Sequence, residues 1–171
     1  AGCKGAAGLY RGAGWGCVRK RRDAMSLTIS PVDYDDRPDW EALFQGYADF
    51  YETDARGHVG TVWSWILDPE EPFWADILRD EDGRALGLVQ YSLLHRSLSG
   101  GKVIYLSDLF AVPEARGKGV GRALIDHVRG FARDNGYGSV RWLTHETNET
   151  ARRLYDSYTP ASGFILYTLP S

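Results

Sequence analysis

A short glycine-rich segment carries the residues whose types and spacing best suit phosphate chemistry. Glycines at every second position leave backbone N–H groups open to an anion, because no side chain stands in front of them. Apolar residues 123–125 follow and continue into a helix, whose first N–H groups lack partners and whose dipole is positive at that end. With its basic side chains, the segment predicts a binding site for a diphosphate. It comprises Arg116, Gly117, Lys118, Gly119, Val120, Gly121 and Arg122.

Three other interpretations of such a loop fit the sequence less well. A nucleotide-binding P-loop would close with Gly-Lys-Ser or Gly-Lys-Thr, whose hydroxyl binds magnesium, and this segment has no such ending. A dinucleotide-binding fold places its glycines after its first strand and an acidic residue after the next one. Here the loop lies beyond residue 110, and residues 144–146 after the next strand give no clear match. A simple solvated turn would not explain why glycine spacing, charge and the following helix agree.

The flanking sequence predicts a strand, a helix, a second strand and a second helix around this loop. Residues 103–112 are rich in β-branched and aromatic side chains, and Pro113 ends the strand because it lacks a ladder donor. The helix after the loop has apolar residues on one face and stops at residues 135–136, Asn-Gly. The second strand, residues 139–144, leads to Asn148, a favourable N-cap for the second helix.

This order of elements, from Tyr105 to Phe164, resembles the GCN5-related N-acetyltransferase superfamily. The motifs that carry the resemblance are Arg-Gly-x-Gly-x-Gly before the first helix, then Asn, Ala-x-x-Leu-Tyr and Gly-Phe. Residues 105–110, 142–144 and 148–155 further resemble the small Hpa-type subgroup, which is related to yeast enzymes that acetylate histones, polyamines or D-amino acids. The resemblance implies an α/β fold with a mixed, mostly antiparallel central sheet of six to seven strands and helices on both faces.

The same resemblance implies that acetyl-CoA is the co-substrate and that the glycine loop, residues 116–122, binds its diphosphate. It also implies that backbone groups of Leu109, Phe110 and Ala111 pair with the pantetheine arm of acetyl-CoA, much as another strand would. Asn148 either caps its helix or contacts acetyl-CoA, and capping alone would explain this residue. No metal is expected, because nothing in the sequence resembles a metal–phosphate site.

Two residues are candidate catalytic groups. Tyr155 matches the tyrosine of the family's Asn…Leu-Tyr segment and is the candidate general acid, because a phenol is protonated at neutral pH and can donate to the departing thiolate. Packing in the core is the alternative for this tyrosine. Asp108 lies mid-strand among leucine and phenylalanine residues, where an unpaired carboxylate is costly to bury. It is expected to take the amine proton, to bind the substrate ammonium or to bond to backbone N–H groups.

Acceptor specificity is expected from side chains around the predicted mouth of the cleft. Tyr51 and Glu52 end the first predicted helix, where an aromatic ring and a carboxylate together suit a cationic amine. His145 follows the strand 139–144, and its imidazole is a group that can exchange protons. Core packing of the tyrosine and an incidental surface position of the histidine are the alternatives. The predicted acceptor is a small-molecule amine or a basic peptide.

Residues 1–24 differ from the rest of the chain and are predicted to be a disordered or vector-derived extension. They are glycine-rich without periodicity, and they hold 6 of the 20 basic residues, 1 of the 23 acidic residues and both cysteines. A basic arm for nucleic acid at residues 19–22 is the alternative. Residues 25–171 are predicted to form one N-acetyltransferase domain with a formal charge of −8.

The composition of residues 25–171 excludes several kinds of site and partner. Without cysteine they contain no disulfide and no cysteine nucleophile, and their negative charge does not suit binding to nucleic acid. The sequence has no apolar stretch of about 18 residues, so no transmembrane helix is expected. We therefore expect no nucleic-acid or membrane partner, and a cytoplasmic location.

The rest of the chain is predicted to alternate between strands and helices. Predicted strands cover residues 27–29, 75–79 and 85–95, and predicted helices cover residues 40–51 and 59–67. Residues 164–168 are predicted as a terminal strand. Seven residues, 156–162, separate the helix tyrosine from Gly-Phe, more than the family usually has there. This insertion leaves open the position of the final strand and any homodimer pairing through it.

The predicted function is acetyl transfer from acetyl-CoA to a primary amine within a ternary complex. No covalent enzyme intermediate is expected, since no nucleophile matches such a mechanism. The alternative is a non-catalytic acyl-CoA-binding or sensor protein of the same fold. The presence of Tyr155 and Asp108 favours the enzyme over the sensor.

Overall fold

The described part of the chain forms a five-stranded sheet, with helices packed on both of its faces. The computed structural model describes residues 26–170, so the predicted extension at residues 1–24 lies outside the described residues. The strands are β1 (Thr28–Pro31), β2 (Phe73–Arg79), β3 (Ala85–Arg96), β4 (Gly101–Ala111) and β5 (Val140–Arg141). Neighbouring strands follow sequence order and are antiparallel, except that β5 is parallel to β4. The predicted α/β class and the mixed, mostly antiparallel sheet are confirmed.

Four α-helices accompany the sheet in the described residues. They are α1 (Arg37–Phe50), α2 (Val59–Leu67), α3 (Val120–Asp134) and α4 (Glu149–Tyr155). Pro38 lies in the first turn of α1, where its missing N–H leaves no intrahelical bond unmade. Asn148 precedes α4 and accepts a hydrogen bond from the N–H of Ala151, so that it caps the helix as predicted.

Each face of the sheet buries its own hydrophobic cluster, because side chains alternate between the faces along every strand. Helices α1 and α2 cover one face. The cluster there includes Trp40, Leu43, Phe44, Val62 and Trp63 of the helices with Ile77, Leu88 and Phe110 of the strands. Helix α3 covers the other face with apolar residues at helical spacing. The second cluster includes Leu124, Ile125, Val128 and Ala132 with Leu78, Val89, Ile104 and Leu106.

The prediction of six to seven strands is wrong, since residues 26–170 form five. Residues 164–168 are not a strand, and the large apolar side chains between residues 164 and 169 are 67–93% exposed. After α4, residues 158 and 159 donate backbone hydrogen bonds to the carbonyl of Tyr155, and Pro160 then has no N–H to offer a ladder. The chain therefore leaves α4 in a turn rather than returning along a sheet edge.

The sheet opens between β4 and β5. Their parallel pairing joins only Ile104 with Val140 and Tyr105 with Arg141, so the predicted strand over residues 139–144 is shorter than expected. Beyond these two pairs the strands separate, and a gap lies next to the second half of β4.

A β-bulge lies in β4 where this gap begins. Leu106 is opposite Tyr91 of β3, and Asp108 is opposite the preceding residue, Gln90. Ser107 is therefore an extra residue without a partner on β3, which bends the strand and changes the direction of the side chains that follow. The bulge turns Asp108 toward the face of the sheet that α1 covers.

Candidate active site

A cavity of about 430 Å³ occupies the gap between β4 and β5. Its walls are the second half of β4, the glycine loop before α3, helix α4 and the end of α1. Most predicted site residues line it: Tyr51, Leu109, Phe110, Ala111, Arg116, Gly117, Gly119, Val120, Gly121, Arg122, Asn148 and Tyr155. Lys118 and Asp108 do not line it, and the wall also includes Tyr47, Phe50 and Trp142.

The backbone of the glycine loop presents free donors to this cavity. Gly117 and Gly119 have φ angles of +74° and +91°, which glycine adopts without steric cost. A Cβ atom added at either position would meet no atom within 4 Å, so the space beside them is open. The N–H groups of residues 119–122 have no acceptor among residues 26–170. Free donors at the positive end of α3 fit an anion such as a diphosphate.

The basic side chains of the loop point in different directions. Arg116 donates from Nε to the carbonyl of Ala111 at 3.3 Å, and its guanidinium lies 5.4 Å from the ring centroid of Phe50. Arg122 donates to Ser157 Oγ at 2.8 Å and lies over a tyrosine ring near the end of α4. Lys118 is exposed to solvent. Arg116 thus contacts both β4 and α1 across the cavity, whereas Arg122 ties the start of α3 to the residues after α4.

The edge of β4 offers a second set of hydrogen-bonding groups. Val112 donates from its N–H to the carbonyl of Leu86 on β3 at 3.0 Å, and peptide groups alternate in direction along a strand. Phe110 therefore directs its peptide groups at β3, whereas Leu109 and Ala111 direct theirs away from β3 and into the gap. These outward groups can pair with an extended ligand as a further strand would.

Tyr155 is on the cavity wall at the end of α4. Its ring packs edge-on against Trp142, with 5.4 Å between the ring centroids. Burial, and then the neighbouring phenol of Tyr51, raise the pKa of Tyr155 to about 12. The hydroxyl therefore keeps its proton at neutral pH and is able to donate it. Asn148, which caps α4, lines the cavity as well.

Asp108 is hydrogen-bonded to the buried Gln90, which is in turn hydrogen-bonded to the buried Trp40. Its Oδ2 accepts a hydrogen bond of 2.7 Å from Nε2 of Gln90, and Oε1 of Gln90 accepts one of 2.8 Å from Nε1 of Trp40. Gln90 and Trp40 are completely buried, whereas Asp108 is partly buried. Burial raises the pKa of the Asp108 carboxyl above its ordinary value, and the donors Gln90 and Tyr47 lower it in part.

Tyr47 of α1 connects Asp108 with the cavity. Its side chain lines the wall, and its hydroxyl neighbours the carboxylate. Burial, and then the charge of Asp108, raise the pKa of Tyr47 well above its ordinary value. The sequence does not predict Gln90 or Trp40 as site residues. A usable signal exists only for Gln90, which is a lone amide within the apolar run of residues 86–91.

A second, polar cavity of about 530 Å³ adjoins the first, and Tyr51, Glu52 and His145 all line it. The two cavities share wall residues from the end of α1 and the start of α4. Glu52 has a φ of +52° directly after α1, the one such non-glycine residue among those described. His145 Nδ1 lies 2.8 Å from Thr147 Oγ1. The structure thus brings the three predicted acceptor residues together at one opening.

Comparison with known proteins assigns the family. The model of the acetyltransferase (GNAT) family matches residues 38–158, which run from the first turn of α1 to just beyond α4. The chain belongs to the GNAT family. It is therefore an N-acetyltransferase, and the resemblance seen in the sequence is confirmed.

Individual GNAT proteins match over most of their length. The chain is 30% identical over 143 residues to the D-amino-acid N-acetyltransferase HPA3 of Saccharomyces cerevisiae, covering 82% of this chain and 89% of that protein. It is 30% identical over 156 residues to the uncharacterized N-acetyltransferase YhfO of Bacillus subtilis, covering 89% of this chain and 95% of that protein. A solved structure of a probable acetyltransferase superposes with a TM-score of 0.73 at 26% identity, covering 84% of this chain and 97% of that one.

GNAT enzymes use acetyl-CoA, and the glycine loop of this chain suits it. The free N–H groups and the open space beside Gly117 and Gly119 are what a bound diphosphate requires. Within residues 26–170, no group of three or more His, Cys, Asp or Glu side chains is arranged to hold a metal ion. No helix in the same residues is long and apolar enough to cross a membrane.

Proposed function

We propose that this GNAT enzyme transfers the acetyl group of acetyl-CoA directly to a primary amine within a ternary complex. One cavity carries the proposal, because it joins the free N–H groups of residues 119–122, the outward peptide groups of Leu109 and Ala111, and the side chain of Tyr155. The first two sets of groups would hold the diphosphate and the pantetheine arm. Acetyl-CoA supplies an acyl group that is activated as a thioester.

Two proton transfers are left to the side chains of the chain. The amine nitrogen bonds to the carbonyl carbon and the carbon–sulfur bond breaks, so one proton must leave nitrogen and one must reach sulfur. Tyr155 holds a proton at neutral pH and donates it to the sulfur. Asp108 accepts the proton of the amine, through the hydroxyl of Tyr47 or through water. Exchange with solvent then restores both groups.

The acceptor amine enters at the polar cavity beside the first one. Glu52 provides a carboxylate for an ammonium group, Tyr51 provides an aromatic face, and His145 lines the same opening. The yeast relative is named for D-amino acids, so free amino acids belong first among the candidate acceptors. Small amines and the lysines of basic peptides have the same reacting group.

An acceptor panel tests this proposal. Release of free CoA from acetyl-CoA would be followed with D- and L-amino acids, polyamines and a lysine-rich peptide, and the acetylated product would be identified by mass spectrometry. We expect saturable, amine-dependent release with at least one class. An enzyme that binds CoA but acetylates no member of the panel above the rate without amine would contradict the proposal. No observation favours the non-catalytic acyl-CoA sensor.

We also infer that the chain forms a homodimer through residues 164–169. The five large apolar side chains in this segment are 67–93% exposed, and exposed apolar side chains grouped in one segment are typical of a surface that binds another protein. Removing residues 163–171 should convert a dimer into a monomer, and multi-angle light scattering would measure both masses. A full-length chain that is monomeric at micromolar concentration would overturn this inference.

A further inference from the structure

We propose that Gln90, held in place by Trp40, is the positioning residue that keeps Asp108 ready to accept a proton. This inference rests on the proposed function, in which Asp108 takes the proton of the acceptor amine. The side chains come from three elements, with Trp40 on α1, Gln90 on β3 and Asp108 on β4. Two hydrogen bonds join them in one chain, from Trp40 to Gln90 at 2.8 Å and from Gln90 to the carboxylate of Asp108 at 2.7 Å.

Donor and acceptor chemistry fixes the direction of this chain. The indole of Trp40 is only a donor, so the amide oxygen of Gln90 must face it. The NH₂ group of Gln90 is then turned toward Asp108, where it needs an acceptor. Gln90 and Trp40 are each 0% exposed, so water cannot replace either partner, and rotation of the amide would leave two buried donors facing each other.

A fixed donor at this point favours the anionic form of Asp108. Burial acts against that form and raises the pKa of the carboxyl, whereas the hydrogen bond from Gln90 lowers it. The titratable group facing Asp108 from α1 is Tyr47, with the phenols of Tyr51 and Tyr155 beyond it. Without the amide, the pKa of Asp108 would rise further, and the carboxyl would stay protonated, and unable to accept a proton, up to a higher pH.

The main variant is Gln90→Met, which keeps an unbranched side chain of similar size and removes the donor. The acidic limb of the pH profile of kcat/KM should move upward by about one pH unit, the scale of one hydrogen bond to a charged group. The matched control is Tyr91→Phe, on the next residue of β3. It removes a 2.7 Å hydrogen bond to the buried carboxylate of Asp76 on the opposite face of the sheet, and it should leave the acidic limb in place.

A second variant covers the case in which Gln90→Met folds poorly because the Trp40 N–H is left unsatisfied. Trp40→Phe with Gln90→Met removes both buried polar partners together, which is less costly than removing one. It should show the same upward shift of the acidic limb. Trp40→Phe alone frees the amide to rotate and should shift the limb in the same direction by a smaller amount.

A measurement that does not need activity separates this inference from the proposed function. The side-chain carboxyl of Asp108 would be titrated by carbon-13 NMR in the unmodified protein and in the variants. An upward shift of both the titration and the kcat/KM limb supports the inference. An unchanged titration overturns it, and so does a shifted titration with an unchanged limb. Lack of acetyl transfer by the unmodified protein would instead contradict the proposed function, while the titration would still test the hydrogen-bond chain.

Discussion

Burial acts on Tyr155 and Asp108 in the same direction but with opposite consequences for their proposed roles. In both residues it raises the pKa, because a low-dielectric surrounding disfavours a charge. For a general acid this is helpful, since Tyr155 keeps its proton. For a base it is harmful, since Asp108 must be an anion. In the proposed mechanism, the donors around Asp108 therefore allow this buried carboxyl to receive a proton while the buried Tyr155 gives one.

Tyr155→Phe removes the hydroxyl and keeps the ring against Trp142. We expect kcat to fall by about 10- to 1000-fold, the scale of one acid–base contribution, with unchanged affinity for CoA. Steady-state kinetics and calorimetry measure the two effects. Tyr158→Phe is the matched control, because the Tyr158 hydroxyl bonds to Asp126 and does not line the cavity. A turnover within twofold of the unmodified enzyme would mean that Tyr155 only packs.

Asp108→Asn should lower activity and raise stability at the same time. The folded state holds this pKa above its unfolded value, so the carboxylate costs stability at neutral pH, and that cost disappears as the pH falls through the folded pKa. We expect kcat/KM to fall at least about 100-fold at pH 7 and Tm to rise. The gain in Tm should shrink at about pH 4, near the ordinary carboxyl pKa.

The contrasting control for this variant is Asp76→Asn. Asp76 is fully buried on the other face of the sheet, where Tyr91 and His127 contact it at 2.7 Å and 3.3 Å. Losing a carboxylate that has partners of its own should lower Tm. If Asp108→Asn also lowers Tm and keeps full activity, Asp108 is a structural residue.

At the scale of elements, the two ends of α3 provide a test of the glycine loop. Gly119 at its start and Gly136 just after its end both have positive φ, +91° and +74°, and open space where a Cβ would lie. Gly119→Ala and Gly136→Ala should each cost about 1 kcal/mol of stability through backbone strain. Only Gly119→Ala should weaken CoA binding, by about tenfold or more, since its Cβ would enter the proposed diphosphate site. Calorimetry with CoA on both variants decides the matter.

Local sequence patterns predict helices well where the residues that begin or end the helix are themselves recognisable in the sequence. The bounds of α2 follow from its apolar run, and Asn148 marks the start of α4 because a side-chain cap is a local interaction. The final strand is predicted wrongly, because a strand exists only where another edge accepts it, and residues 164–168 find none among the described residues. In that segment the lack of a pairing partner outweighs the β-propensity of the residues.

The hydrogen-bonded residues around Asp108 could not be predicted from the sequence, because they are joined by long-range contacts. Trp40 and Gln90 are 50 residues apart, and Gln90 and Asp108 are 18 apart, so no local pattern joins them. The glycine loop and the residues along β4 are predictable because each lies in one continuous segment with its own chemistry. The exclusion of Asp108 from the cavity wall depends on the bulge at Ser107, which leaves no signal in the sequence.

At the scale of the whole molecule, charge should influence which acceptors bind. Residues 25–171 carry a formal charge of −8, and Glu52 and Glu149 line the polar cavity at the opening. KM for a polyamine should rise by about threefold or more between about 0.02 M and about 0.2 M salt, because exposed charges are screened. KM for a zwitterionic amino acid should change much less. Equal salt dependence for both acceptors would show that the cavity does not select by charge.

The alternation of peptide groups along β4 has a consequence for isotope exchange. The amide of Phe110 is bonded within the sheet, whereas the amides of Leu109 and Ala111 face the gap. In deuterated water the two outward amides should lose their protons quickly, and the one between them should keep its proton far longer. Saturation with CoA should slow the outward pair and leave Phe110 unchanged. Neighbouring residues of one strand thus provide both the reporter and its internal reference for cofactor occupancy.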